Sequence, residues 1–453
     1  MLKQQFKQWG AAAALSILVG TAHSAVSEAD AAKLGTEFTP IGAVKAAQGN
    51  IPAWTGGLGQ DAGAVDKNGR LENPFASDKP KFVITGANYQ EYAANLTDGQ
   101  KAMFAKYPDT YKMPVYETRR TAAYPQAVYD ETKKNATQTT LLNDGNGIAN
   151  FTFGVPFPFP QTGVEVIWNH ITRYRGGSIS RVVGQVTPQV NGDFTLVRFK
   201  DEFTFRNELK DYSESKDDNV LFYFKQDVLS PARLAGNVLL VHETLDQVKE
   251  PRKAWVYNAG QRRVRRAPQV AYDGPGTASD GLRTADNFDM FNGSPDRYDW
   301  KLEGKMEVYV PYNSYQLKDP ALKYDQIIKA GHINQDLTRY ELHRVWKVTA
   351  TLKEGKRHVY AKRVFYIDED TWQATEIDHY DGRGELWRVA ESHNVMYYNR
   401  QLPWYAIEVL YDLNSGRYLA LGLDNEEATG YQYDFERTYS DYTPAALRRG
   451  GVR

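Results

Sequence analysis

The spacing of apolar positions changes character partway along the chain. Up to about residue 177 the regular stretches repeat every three to four residues; beyond it they alternate. In LTDGQKAMFAKY, Thr97 and Gln100 form a capping box. Met103, Phe104 and Tyr107 then share one face, which predicts a helix ended by Pro108. YPQAVYDETKKN places Pro125 where a first helical turn tolerates it. In TGVEVIWNHITRYRGG, a second capping box (Thr162 with Glu165) precedes a stripe of Val164, Ile167, Ile171 and Tyr174. Arg173 and Arg175 suit the negative end of that helix, and Gly176-Gly177 stops it. The Pro-Phe alternation up to Pro160 excludes a central strand, because each proline removes a ladder donor.

After Gly177 the period is two. VVGQVTPQVNGDFTLVRF holds Asn191-Gly192 between extended runs, a hairpin signal. NVLFYFKQ, NVLLVHETL, GKMEVYVPY, WQATEIDHYDGRGELWRV and YAIEVLYDLNSGRYLALGL continue the alternation, with turn signals at short intervals. The pattern predicts a mainly β protein with helices (α+β), built on a large antiparallel sheet or barrel. An irregular, helical N-terminal arm (25–150) packs on a β domain (151–453). A long loop, 268–303, interrupts that domain. Its aromatics (Tyr272, Phe288, Phe291, Tyr298, Trp300) predict ordered packing. Its acids (Asp273, Asp280, Asp286, Asp289, Asp296, Asp299) lack EF-hand spacing and read as solvated turn residues.

One hairpin permits a register. In RYELHRVWKVTA the even positions Tyr340, Leu342, Trp346, Val348 and Ala350 are apolar, with Arg344 the exception. In RHVYAKRVFYI the odd positions Val359, Ala361, Phe365 and Ile367 are apolar, with Arg363 the exception. A tight turn at Glu354-Gly355 would set Trp346 opposite Arg363 and Phe365 opposite Arg344, so the two apolar faces coincide. Two arginines on an aromatic face need anionic partners. Either internal carboxylates or a stack on Trp346 supply them, or the face lines a cavity where Tyr340, Leu342, Arg344, Trp346, Arg363 and Phe365 hold an anionic head and an apolar tail. A second cluster, RKAWVYNAGQRRVRRAP, sets Trp255 and Tyr257 before a turn and Arg262, Arg263, Arg265 and Arg266 after it. A solvated hairpin end is its default; contact with anionic lipid or a partner protein is its functional version. Near the N-terminus, IPAWTGG predicts that Trp54 lies against the β domain, bracing it or closing its open side.

Composition narrows the classes. Of 453 residues 13% are aromatic, a load that suits strands and large contact surfaces. The formal charge is −1, so nothing globally basic points to nucleic acid. Residues 1–24 read as a signal peptide: Lys3 and Lys7, an apolar run from Ala11 to Gly20 too short to span a bilayer, then small residues at Ala22–Ala25. Its removal deletes two lysines and no acids, taking the charge to −3. The expected location is the periplasm, with no membrane span in the mature chain. With no cysteine there is no disulfide, thiolate metal site or lipidated N-terminal cysteine.

No catalytic constellation stands out. Gly57 to Ala62 matches G-x-G-x-x-A, but Pro52 precedes it and no strand–helix context follows. His242-Glu243 lacks the second histidine of a zinc motif, since position 246 is Asp. No cofactor, metal or catalytic residue is expected.

The stretches TPIGAVKAAQGNIPAWTGG, LTDGQKAMFAKYPDTYKMPVY, RKAWVYNAGQRRVRRAP, DNFDMFNGSPDRYDWKLEGKMEVYVPYN and RYELHRVWKV resemble a proteobacterial family known as outer membrane lipoprotein-sorting protein, a domain-of-unknown-function family of the LolA/LolB-like carriers. The resemblance covers nearly all of the mature chain. It implies a half-open antiparallel β-barrel whose concave face is covered by helices and loops. It further implies carriage of a hydrophobic, lipid-like ligand across the periplasm, beside an RND-type exporter of the inner membrane and an outer-membrane protein. Two other readings are an envelope enzyme acting on glycan or lipid, and a non-catalytic docking scaffold.

Overall fold

The computed structural model describes residues 25–213, 219–267, 270 and 272–450; the segment read as a signal peptide, 1–24, lies outside them. The alternating runs form one sixteen-stranded sheet. The first meander comprises β1 (Ser178–Val186), β2 (Val197–Phe205), β3 (Val220–Ser230), β4 (Val238–Thr244), β5 (Lys253–Asn258) and β6 (Arg263–Arg266). The second comprises β7 (Tyr298–Pro311), β8 (Tyr340–Leu352), β9 (Lys362–Asp368), β10 (Ala374–Tyr380), β11 (Leu386–Tyr397), β12 (Leu402–Asp412) and β13 (Tyr418–Leu423). β13 pairs antiparallel with β1, so the sheet runs β7 to β13 and then β1 to β6. Among the described residues β6 pairs only with β5, and β7 only with β8, so the barrel stays half-open.

The residues before β1 wrap this sheet. Phe82–Thr85 and Lys112–Val115 form a small antiparallel pair that joins β8 through one parallel bridge, Val115 to Tyr340. Helix α1 (Asp98–Lys106) carries the capping box read from Thr97 and Gln100. Gln100 Nε2 donates to Glu376 Oε1 at 3.1 Å, which ties α1 to β10. Helix α2 spans Gln126–Gln138, with Pro125 at its N-cap. Trp54 is half-buried; its indole N–H donates to the Ala122 carbonyl at 2.9 Å, so it braces the arm against itself.

Helix α3 (Gly163–Thr172) has the second capping box, but it differs from the single apolar stripe read for it. Every residue except Val164 is buried, because the helix is enclosed rather than laid on a surface. It ends at Thr172, one turn early, and Arg173 leaves the helical conformation. Arg173 and Arg175 nevertheless serve that end as expected, donating to the His170 and Ile171 carbonyls at 2.8 and 2.7 Å, and both also reach inward to Asp289.

The hairpin register also differs. Trp346 pairs with Ile367, Phe365 with Val348 and Arg363 with Ala350, a shift of four from the predicted pairing. The turn at Glu354-Gly355 exists, but the chain then makes an excursion, and β9 begins at Lys362. The shift is even, so the same faces coincide. On the other face of β8, Glu341, His343 and Val345 are buried as well. The long loop is ordered as its aromatics predict, with Phe291 and Met290 fully buried, but it is shorter: Tyr298 onward is strand β7. Positions 268, 269 and 271 lie outside the described residues.

Candidate functional site: a roofed cavity on the β1–β5 floor

Directly paired residues of an antiparallel sheet share a face, and so do residues two apart along a strand. Two adjacent cross-strand rows on β1 to β5 therefore lie on one side. The first is Ile179–Phe203–Phe224–Val241, wholly apolar. The second is Arg181–Asp201–Gln226–Leu239–Val256, graded from ionic to apolar. All nine side chains line a cavity of about 220 Å³. Trp404 and Tyr405 of β12 form a side wall. Pro275, Arg283 and Phe288 of the β6–β7 connection form the roof, with Phe288 packed 4.9 Å from Phe224 between ring centres.

Most charges at this cavity are neutralised in place. Arg181 Nε donates to Asp201 at 3.1 Å, and its other nitrogens donate to the hydroxyls of Tyr431 and Tyr405. Arg252 meets Glu243 at 2.5 Å. Arg173 and Arg175 share Asp289, whose carboxyl burial pushes up but whose two guanidinium neighbours hold well below the usual range. Arg283 is different: among the described residues its guanidinium makes no ion pair and no hydrogen bond, though Arg283 is only 3% exposed. Glu408 of β12 is fully buried with neither carboxylate oxygen hydrogen-bonded. Burial, with Asp289 nearby, pushes its pKa up to about 8, against the pull of Arg283, Arg181 and Arg173.

The residues predicted to line a cavity sit elsewhere. Arg363, fully buried, donates to Asp286 Oδ2 at 2.5 Å, and His358 Nε2 lies 3.0 Å from the same oxygen. Phe291, Trp300 and Phe365 close the space around it, with ring centres 5.5–5.6 Å apart. Arg344 Nε donates to Glu369 Oε1 at 2.6 Å. Trp346 stacks on Trp372 under the Lys305 ammonium, while Tyr340 and Leu342 are core residues. Of the two readings of this face, internal carboxylates are what the arginines find. Trp255 and Tyr257 point away from the cavity floor and pack with Tyr223, Tyr442 and Leu447. Trp54 is held by the arm, as above. Arg262, Arg263, Arg265 and Arg266 are exposed, and no ion pair engages them among the described residues. Arg265 pairs with Val256 and so continues the second floor row at the free edge; Arg266 pairs with Trp255 on the opposite face.

The loop acids correct a further expectation. Asp286 and Asp289 are buried ion-pair anchors and not solvated turn residues. Elsewhere, His343, Asp368 and Asp370 bring ligand atoms within 4.8 Å of one another, as a metal would need. Arg120 already holds Asp370 at 2.6 and 2.8 Å, and Tyr312 stacks on His343, so the cluster reads as a structural ion-pair network. Glu376 and Glu391 pair across β10 and β11 as a buried acid couple, with Tyr111 and Tyr340 donating to Glu391. It lies in the core, not at the cavity.

Sequence reasoning missed the roof and the floor. The alternation of NVLFYFKQ marks Phe222 and Phe224 as one face, yet nothing local says that this face is hollow.

Fold and site together define a half-open antiparallel β-barrel protein with a roofed, largely apolar interior. The chain belongs to the DUF1329 family, a protein family of unknown function whose profile matches residues 83–448. This agrees with the resemblance carried by the motifs. It is 68% identical over 442 residues to the uncharacterized protein PA3922 of Pseudomonas aeruginosa, covering 97% of each chain. Among solved structures it is similar to a candidate outer membrane lipoprotein-sorting protein domain from Vibrio parahaemolyticus, at 12% identity and TM-score 0.44, over 63% of this chain and 98% of that one. It is also similar to the LolA superfamily protein NE2245 from Nitrosomonas europaea, at 12% identity and TM-score 0.37, over 63% and 98%.

Proposed function

We propose that this protein is a periplasmic carrier that holds a hydrophobic ligand in the cavity on β1 to β5 and moves it between the inner and outer membranes. The observation that carries the reading is the roofed cavity itself, floored by Ile179, Phe203, Phe224 and Val241. Burial of an alkyl chain there supplies affinity without chemistry, at about 0.8 kcal/mol per CH₂. No described helix is long and apolar enough to cross a membrane, which suits a carrier that travels. Docking to an RND-type exporter and to an outer-membrane protein completes the proposed route. The exposed arginines of β6 are the proposed contact with anionic lipid or with such a partner. A docking scaffold would present an aromatic patch; among the described residues Tyr439 is the one large aromatic that is exposed.

The test is native mass spectrometry of the mature protein purified from its host, with extraction of whatever adds mass. A co-purifying hydrophobe that Leu239→Trp displaces is the expected result. No added mass, together with no uptake of the neutral probe N-phenyl-1-naphthylamine, overturns the reading.

A further inference from the structure

The cavity reading leaves one feature unexplained. Arg283 lines the cavity, is nine-tenths buried, and has no anion. Its Nε and Nη1 are out of contact with solvent and without hydrogen-bond partners. The guanidinium lies 5.2 Å from the Phe288 ring centre. Gly276 leaves it room, since a Cβ there would come within 2.9 Å of Nε. Desolvating a cation without a counter-ion is costly, so such a group persists where something offsets it.

The neighbouring acids do not provide the offset. Asp201 is taken by Arg181, Glu243 by Arg252, and Asp289 by two arginines at once. Glu408 stands near enough to interact electrostatically with Arg283, Arg181 and Arg173, but it makes no hydrogen bond to any of them. At the cavity and directly behind its lining, five arginines (Arg173, Arg175, Arg181, Arg252, Arg283) thus face four acids (Asp201, Glu243, Asp289, Glu408), so one cation is in excess even when every acid is ionised. When an apolar chain fills the cavity it expels the water that screens this excess. The ligand must then carry the missing negative charge.

The apolar row beside Arg283, Ile179–Phe203–Phe224–Val241, gives an alkyl chain a surface to lie on.

Resting on the carrier reading above, we propose that the cavity binds an anionic amphiphile, a fatty carboxylate, with its head on Arg283 and its chain along Ile179, Phe203, Phe224 and Val241. A carboxylate suits a guanidinium in a bidentate pair, and the adjacent apolar row suits the tail.

The experiment is calorimetric titration of the mature full-length chain with octanoate, octan-1-ol and acetate, repeated with Arg283→Gln and Arg283→Lys. Octanoate is expected to bind at least tenfold more tightly than octan-1-ol, and acetate to show no saturable binding. Arg283→Gln should bring the octanoate-to-octanol preference close to one, with Arg283→Lys between. Octan-1-ol binding as well as octanoate, or an unchanged preference in Arg283→Gln, overturns the anion assignment and leaves the carrier reading standing. Acetate competing as well as octanoate overturns the chain and makes this a small-anion site. Binding of none of the three, with no hydrophobe in the host-purified protein, overturns both readings. The comparison of octanoate with octan-1-ol in the unaltered protein does not depend on how any variant folds.

Discussion

Two interior faces of this sheet carry the same kinds of residue, and one of them is full while the other holds space. On β8 and β9, Arg363 lies among Phe291, Tyr298 and Tyr360 with Asp286 against it. On β1 to β5, aromatic rings and arginines recur, yet the roof brings Arg283 without an acid and leaves about 220 Å³. A single connection serves both faces: Asp286 and Arg283 are three residues apart. What decides between core and cavity is therefore not the composition of the strands. It is which side chain the covering segment delivers, and whether that side chain completes the charge and fills the gap.

The sharpest way to break this contrast is to remove the completing acid. Asp286→Ala strands a buried arginine, and urea unfolding should show a loss of about 3–5 kcal/mol. Arg283→Gln removes a cation that has no partner, and should change stability by less than about 1 kcal/mol or raise it. Equal losses would show that the two faces are alike. Space is the second discriminator. Ala350→Trp inserts a ring into the full face and should cost about 1–3 kcal/mol while leaving naphthylamine uptake intact. Leu239→Trp enters the open face and should reduce uptake at least tenfold with a smaller stability cost.

Acidity separates the faces a third way. Burial raises the Asp286 carboxyl, but Arg363 and His358 pull it well below its ordinary value. Its contribution is present above the unfolded carboxylate range, near pH 4, and is lost as pH falls toward the folded value. Glu408 behaves oppositely. Raised by burial to about 8, it binds its proton more tightly when folded, so stability declines as pH rises from about 4.5 to about 8. Thermal unfolding across that window should decline less steeply in Glu408→Gln, and the acid-side loss should diminish in Asp286→Asn. The smallest effect belongs to the arm. Trp54→Phe keeps an aromatic side chain, though a smaller one, and removes one hydrogen bond, so a loss of about 0.5–1.5 kcal/mol with unchanged uptake is expected in the same unfolding assay.

The sequence makes some of this legible and hides the rest for definite reasons. Capping boxes are local, so Thr97–Gln100 and Thr162–Glu165 appear in the structure as read. Face parity in the hairpin survives because it depends only on alternation. Register does not survive, because Arg357 to Tyr360 loop out to place His358 beside Asp286. With the observed register Glu369 falls opposite Arg344, and the ion pair on that face becomes readable. Tyr340, Leu342, Trp346 and Phe365 look as suited to a ligand as Phe203 and Phe224 do. Hollowness is set by a distant segment, so no spacing within a strand reports it. Asp286 and Asp289 resemble ordinary loop acids for the same reason: their partners lie 77 and 116 residues away.

The roof has a temporal consequence. It is pinned by Arg388 to the Gly281 carbonyl, by Asp286 to Arg363 and by Asp289 to Arg173 and Arg175. Lifting it would part several buried pairs together, which would make such an opening cooperative. When that event limits exchange, the residence time no longer tracks how greasy the occupant is. If the protein carries a ligand as proposed, short and long chains would then leave at the same slow rate, and a surface that parts those pairs would speed unloading.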